Sequence, residues 1–179
     1  EVGAVWGVDP DLIPGPGVPA VELLTSLGRP DGPRALFVHG SNVVVSSPDA
    51  DVVRRGLESL DLLVVCDVVP SETAMLADYV LPVTQWAEEE GTMTGLEGRV
   101  LRRRRAIAPP PGVRSELEVI AGLAARLDAP GTWSIEPREV FDELRRASAG
   151  GRADYAGISY DRLDAGEALY WPCPDEHHP

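Results

Sequence analysis

The stretch Leu62–Arg105, LLVVCDVVPSETAMLADYVLPVTQWAEEEGTMTGLEGRVLRRRR, decides how the chain is read. It opens on an unbroken apolar run, Leu62–Val65, that ends in Cys66-Asp67. Strands buried on both faces of a parallel sheet carry such runs, whereas half-exposed strands alternate. Ser71 opens a short helix signal through Ala74, Met75 and Ala77, and a second apolar run follows at Tyr79–Val83. Ligands of parallel sheets gather beyond the carboxyl ends of the strands. Asp67 and the loop Glu88–Gly98, dense in carboxylates and glycines, are expected there.

Upstream, Arg34–Val38 reads as a strand running into His39-Gly40-Ser41-Asn42. Val18–Leu27 carries a weak helical pattern with Gly28 as its C-cap, and residues 1–17, rich in Gly and Pro, read as a loop. Ser47-Pro48 has the form of an N-cap followed by proline at the first helical position, with Asp49 and Asp51 favouring the helix N-terminus. Val53, Leu57 and Leu60 then recur at helical spacing. Alternating strands and helices imply crossover connections and a parallel sheet.

Downstream, Arg99–Ile107 reads as an extended strand, and APPPG at 108–112 breaks the chain. Ser115 and Glu118 have capping-box spacing, and Leu117, Ile120, Ala124 and Leu127 form the apolar stripe of a helix. A further helix, about Pro137–Ala147, is expected to bury Val140, Phe141 and Leu144. Beyond Gly150 periodicity is lost, and residues 151–179 look like a segment that needs a larger body to lie on.

The 179 residues suffice for one good-sized core or two small ones. A formal charge of −13 disfavours nonspecific binding to nucleic acid. No apolar stretch approaches the roughly 20 residues of a membrane span. The chain opens on Glu1 rather than Met, as expected of a processed product or an excised piece. Every basic residue except histidine is arginine, which excludes a Schiff-base or P-loop lysine. Two cysteines without a CxxC leave no set for a zinc or iron–sulfur centre carried by this chain alone, and suggest reduced thiols in a cytoplasmic protein.

Gly40 permits close approach of the backbone to a ligand, and Asn42 offers donors and an acceptor. The same residues are common in a plain strand-to-helix turn. Asp67 could accept paired hydrogen bonds from ribose hydroxyls or from N1–H and N2–H of a guanine, or it could cap the following turn. Cys66 reads as a small core residue. Glu88-Glu89-Glu90 cannot converge on one ion, and Arg102–Arg105 are placed to neutralise them in part. Arg102 and Arg104 would lie on one side of a strand, Arg103 and Arg105 on the other. His177 and His178 read as an exposed terminal pair.

The order and spacing of these pieces resemble the molybdopterin oxidoreductase family, the catalytic subunits of assimilatory nitrate reductases and formate dehydrogenases. The matching segments are ALFVHGSNVVVSSPD, LDLLVVCDVVPSETAMLADYVLPVTQWAEEEGTMTGLEGRV, AIAPPPGVRSELEVIAGLAARL, FDELRRAS, GISYDRL and WPCP. The resemblance covers nearly the whole chain and is nearest to the nitrate reductase branch. It implies an α/β fold, a Rossmann-like three-layer domain with a mostly parallel sheet over 1–150, and an irregular extension over 151–179. It also implies a larger enzyme in which this domain helps hold one guanine dinucleotide arm of bis(molybdopterin guanine dinucleotide), the molybdenum cofactor.

By motif position Gly40, Ser41, Asn42, Cys66, Asp67, Glu89 and Glu116 match places that contact the cofactor. Glu72 and Asp78 of SETAMLAD read as a helix start and structural polar contacts. The iron–sulfur cluster, the molybdenum ligand and the catalytic residues would lie in the remaining domains of the same enzyme, with an electron-transfer partner beyond them. No catalytic residue or metal ligand is expected in this segment, so the chain alone is expected to be inactive. Three positions depart from the family pattern: Val43 where proline is usual, Glu89 where lysine is common, and Gly95 where asparagine often stands. These departures keep a degenerate, non-catalytic nucleotide-binding module as the alternative, alongside a formate dehydrogenase-like segment.

Overall fold

The computed structural model describes residues 2–178. In chain order the elements are α1 (Val2–Trp6), a 3₁₀ turn (Pro10–Leu12), α2 (Ala20–Ser26), β1 (Ala35–His39), α3 (Val43–Ser46), α4 (Ala50–Glu58) and β2 (Leu62–Asp67). A second 3₁₀ turn (Ala74–Leu76) precedes β3 (Tyr79–Pro82), β4 (Gly91–Thr94) and β5 (Arg99–Arg103). Then come α5 (Glu116–Arg126), α6 (Pro137–Ser148), α7 (Tyr160–Asp164) and β6 (Leu169–Tyr170). The first 17 residues, expected as loop, thus include α1 and a 3₁₀ turn. Proline at the start of that turn and the Asp9 carboxylate, which accepts from Asp11 N, account for the latter.

The chain forms two compact units whose boundaries differ from a division at Gly150. One comprises Gly15–Gln85 and Pro110–Arg114; the other lies within Glu1–Pro14, Trp86–Pro109 and Ser115–Pro179.

The first unit is built on a three-stranded parallel sheet, β1-β2-β3, with Phe37 opposite Val64, His39 opposite Cys66, and Cys66 opposite Leu81. The unbroken apolar run is the central strand, and its Leu63, Val65 and Cys66 are buried. One face of the sheet packs Val38, Leu63 and Val65 on Leu24 and Leu27, Val44, Val53 and Leu57. Burying each such side chain contributes about 1.5–3 kcal/mol. Gly28, just past α2, has φ 77°, the left-handed conformation that ends a helix most readily at glycine. Asp49, not Ser47, caps α4: its carboxylate accepts from Val52 N at 3.1 Å, from a left-handed backbone that Asp tolerates. Just past the proline-rich break, Arg114 makes an isolated parallel bridge to Val83.

The second unit holds an antiparallel sheet in the order β4-β5-β6, with Thr92 opposite Arg102 and Val100 opposite Leu169. Glu88–Gly98 is therefore not a loop; it contains β4 and the turn into β5. The strand expected over Arg99–Ile107 ends at Arg103. The core is Val100, Phe141, Ile158, Tyr160, Leu163, Leu169 and Cys173. Residues 151–178 are thus no loose extension. They contribute α7, β6 and most of this core, because their apolar residues meet β5 and α6 through turns that leave no periodic trace.

The expected capping box is present: Ser115 N donates to Glu118 Oε2 at 2.7 Å, and Glu118 N to Ser115 Oγ at 3.2 Å. The buried faces are narrower than expected. On α5 Val119 and Ala124 are buried while Ile120 and Leu127 are exposed. On α6 only Phe141 is buried, with Val140 and Leu144 exposed. Periodicity identifies an apolar stripe but not which part of it finds a partner.

Candidate functional site

Three parallel strands end on the same side of the sheet, and the turns beyond them carry the chemistry. Past β1 the backbone turns at Gly40, whose φ of 55° favours glycine, and Gly40 N donates to Cys66 O at 2.8 Å. The GSN turn is thereby tied to the end of β2. Val83 N donates to Asp67 O at 3.2 Å, which ties β3 to the same point. Gly40, Ser41, Asn42, Cys66 and Asp67 lie at these strand ends.

Asp67 is half-buried and its two oxygens are already oriented. Oδ1 accepts from Val68 N at 2.7 Å and Oδ2 from Ser71 Oγ at 2.6 Å. Ser71 Oγ in turn accepts from Ala74 N at 3.3 Å, at the start of the 3₁₀ turn. Asp67 therefore does brace the turn that follows it. An ionised carboxylate offers about four lone-pair sites, so bracing does not exhaust its capacity to accept. Cys66 is fully buried and, like Cys173, forms no disulfide, in keeping with a small core residue.

Asn42 behaves differently. Its Nδ2 donates to Glu72 Oε2 at 2.6 Å, and its Oδ1 accepts from Thr73 Oγ1 at 2.9 Å and from Thr73 N at 3.3 Å. Thr73 Oγ1 also accepts from Val44 N at 3.1 Å. Thr73 is completely buried, and nothing in its sequence context singles it out. Glu72 and Asp78 are polar structural contacts as expected, with Asp78 Oδ2 accepting from Leu63 N at 2.7 Å.

The Asn42 hydrogen bond, first, and a bond to the backbone, second, hold the Glu72 carboxyl below its ordinary value. Because this pKa is depressed on folding, the bond's stabilisation is present above the ordinary carboxylate pKa. It is lost as the pH falls through the depressed one. Titration of Glu72 by NMR is expected to give a midpoint below that of a free glutamate, moving back up in Asn42→Ala. An unchanged midpoint in the variant would contradict the bond.

Glu89 and Glu116 belong to the second unit. Glu89 Oε1 pairs with Arg103 Nη2 at 2.6 Å, with both side chains about a quarter exposed. Glu90 pairs with Arg102 at 3.3 Å. The acidic run is thus held by arginines across the β4–β5 hairpin. Arg102 and Arg104 also both reach Asp164 on α7. Arg102 also stacks 4.1 Å from the centre of the Tyr160 ring, and burial pushes the Tyr160 hydroxyl above its ordinary pKa. Glu116 is the first residue of α5, where a carboxylate complements the helix N-terminus.

Comparison with known proteins adds a separate line. Residues 14–126 match the family model described as molybdopterin oxidoreductase. The chain is 41% identical over its whole length to the assimilatory nitrate reductase catalytic subunit of Bacillus subtilis (strain 168), spanning 25% of that protein. It is 38% identical over 94% of its length to the F420-dependent formate dehydrogenase subunit alpha of Methanocaldococcus jannaschii, spanning 24% of that protein. Acetylene hydratase from Pelobacter acetylenicus shares the fold over 83% of this chain and 20% of its own, with a TM-score of 0.63 at 22% identity. The chain therefore spans about a quarter of the length of the curated relatives it matches. Among the described residues no helix is long and apolar enough to cross a membrane. On the family match and the relatives alike, this chain belongs to the molybdopterin oxidoreductase family.

Proposed function

We propose that this chain is a cofactor-holding segment of a molybdenum-dependent oxidoreductase of the nitrate reductase type, and that it grips the guanosine end of bis(molybdopterin guanine dinucleotide). When bound, that group supplies the two-electron chemistry of the enzyme, while the protein binds and orients it. The observation that carries the reading is the Asp67 carboxylate at the carboxyl end of the central strand, oriented by Val68 N and Ser71 Oγ. Its donor partners fix the plane of the carboxylate, and its remaining lone pairs suit the two adjacent N–H groups of a guanine edge. Gly40, with no side chain, lets a base or ribose come close to the turn.

Fit is tested by the kind of groups present. A guanine edge calls for an acceptor pair, which Asp67 offers. Glu89, where the family commonly has lysine, adds no donor for an anionic arm; its charge is instead countered by Arg103. The iron–sulfur cluster, the catalytic centre and the electron-transfer partner belong, on this reading, to the remaining domains of the same enzyme, in a cytoplasmic protein. The formate dehydrogenase reading rests on 38% identity to such a subunit, close to the 41% for nitrate reductase.

Calorimetric titration of the full-length, cofactor-free protein with GDP tests the proposal. Asp67→Ala is expected to weaken GDP by about tenfold or more, because one charge-assisted hydrogen bond is worth about 1.5–3 kcal/mol. AMP is expected to bind weakly to both forms. Equal affinity of the two forms for GDP would overturn the assignment of Asp67.

A further inference from the structure

The side-chain oxygen of Asn42 and one of its amide protons are engaged inside the protein. Its oxygen has two lone pairs, and Thr73 N and Thr73 Oγ1 occupy them. One of its two amide protons goes to Glu72 at 2.6 Å. Thr73, wholly buried, passes the connection on to Val44 N in the first turn of α3. A continuous chain of bonds, Glu72 to Asn42 to Thr73 to Val44, therefore staples the turn after β1 to the turn after β2. The second of those turns is the one braced by Asp67 and Ser71.

We propose that Glu72 and Thr73 are positioning residues for the ligand held at the strand ends, and that Asn42 serves that ligand through them rather than by touching it with its amide oxygen. Glu72 fixes one end of the Asn42 amide and Thr73 the other, so the Gly40–Asn42 backbone is held in one shape beside Asp67. This rests on the guanosine reading above. It assigns the turn's contribution to its backbone, and makes two residues outside the expected site responsible for its shape.

Chemistry dictates a distinctive pattern of rescue. Glu72→Gln keeps an oxygen that can accept from Asn42 Nδ2, and Thr73→Ser keeps the hydroxyl that bonds Asn42 Oδ1 and Val44 N. Glu72→Ala and Thr73→Val remove those atoms. The experiment compares wild type, these four variants, Asn42→Ala and the double variant Asn42→Ala/Glu72→Ala in the full-length protein. Two readouts are taken: GDP affinity of the cofactor-free form, and hydrogen exchange of the Gly40–Val44 amides without nucleotide.

Glu72→Ala is expected to speed exchange in the turn and to weaken GDP by about tenfold, with Glu72→Gln close to wild type in both. Thr73→Ser is expected to retain slow exchange and affinity where Thr73→Val loses them. The double variant should be no worse than Asn42→Ala alone, since both act through one bond. The proposal is overturned if Asn42→Ala abolishes GDP binding while Glu72→Ala leaves affinity and exchange at the wild-type level. If wild type itself binds no GDP, the guanosine reading fails. The exchange data then decide separately whether Glu72 and Thr73 shape the turn.

Discussion

Deleting residues 151–179 is expected to unfold the unit built on the antiparallel sheet, not merely to trim it. Five of the seven residues in its core cluster, Ile158, Tyr160, Leu163, Leu169 and Cys173, lie in that segment. Without them Val100 and Phe141 lose their cover, and β5 loses β6 as a neighbour. The loss of several fully buried side chains, each worth about 1.5–3 kcal/mol, exceeds what a unit with a total stability of about 5–15 kcal/mol can absorb. A single substitution gives a graded version. Ile158 is fully buried, so Ile158→Ala is expected to cost about 2–5 kcal/mol through lost burial and the cavity left behind. Chemical denaturation followed by circular dichroism, which reads the intact, truncated and substituted proteins alike, checks both. A truncated protein whose transition midpoint matches that of the intact one would show that the tail is dispensable.

Asp154→Ala is expected to be the most damaging polar substitution in the same unit. Asp154 is 4% exposed, and its two carboxylate oxygens accept from Gly150 N at 2.7 Å and Ala156 N at 2.9 Å. Its own carbonyl accepts from Cys173 N at 2.7 Å, so the turn it organises also anchors the last part of the core. Alanine leaves two part-buried N–H groups without acceptors. Each costs about 1–3 kcal/mol, giving a loss of about 2–6 kcal/mol. Asp154→Asn keeps one carbonyl oxygen and is expected to lose about half as much. Comparing the denaturation midpoints of the two variants checks the assignment: equal losses would mean that the charge, not the paired acceptors, is what the turn requires.

The central strand was legible because its burial leaves an unbroken apolar run, and position on that run located Asp67 at a strand end. The capping box of α5 was legible too, since Ser115 and Glu118 act on backbone groups three residues away. Ser47 and Asp49 compete for the capping role at α4, and local sequence does not rank them; the carboxylate that reaches Val52 N decides it. Thr73 was invisible for a related reason. Its importance comes from Asn42 and Val44, about thirty residues earlier, and no local pattern reports a partner at that distance.

By itself, then, the sequence determined what depends on neighbours along the chain. That covers the parallel α/β character of the first unit, most helix and strand positions, and, through the order of its motifs, the family. Tertiary structure alone decided what depends on residues far apart meeting. It made the tail into core, turned the acidic run into ion pairs with Arg102 and Arg103, and closed the Asn42 amide on Glu72 and Thr73. The physical reason is the range of the forces. Propensity, capping and periodicity act within a few residues, whereas burial and hydrogen-bond satisfaction are settled only when distant segments pack.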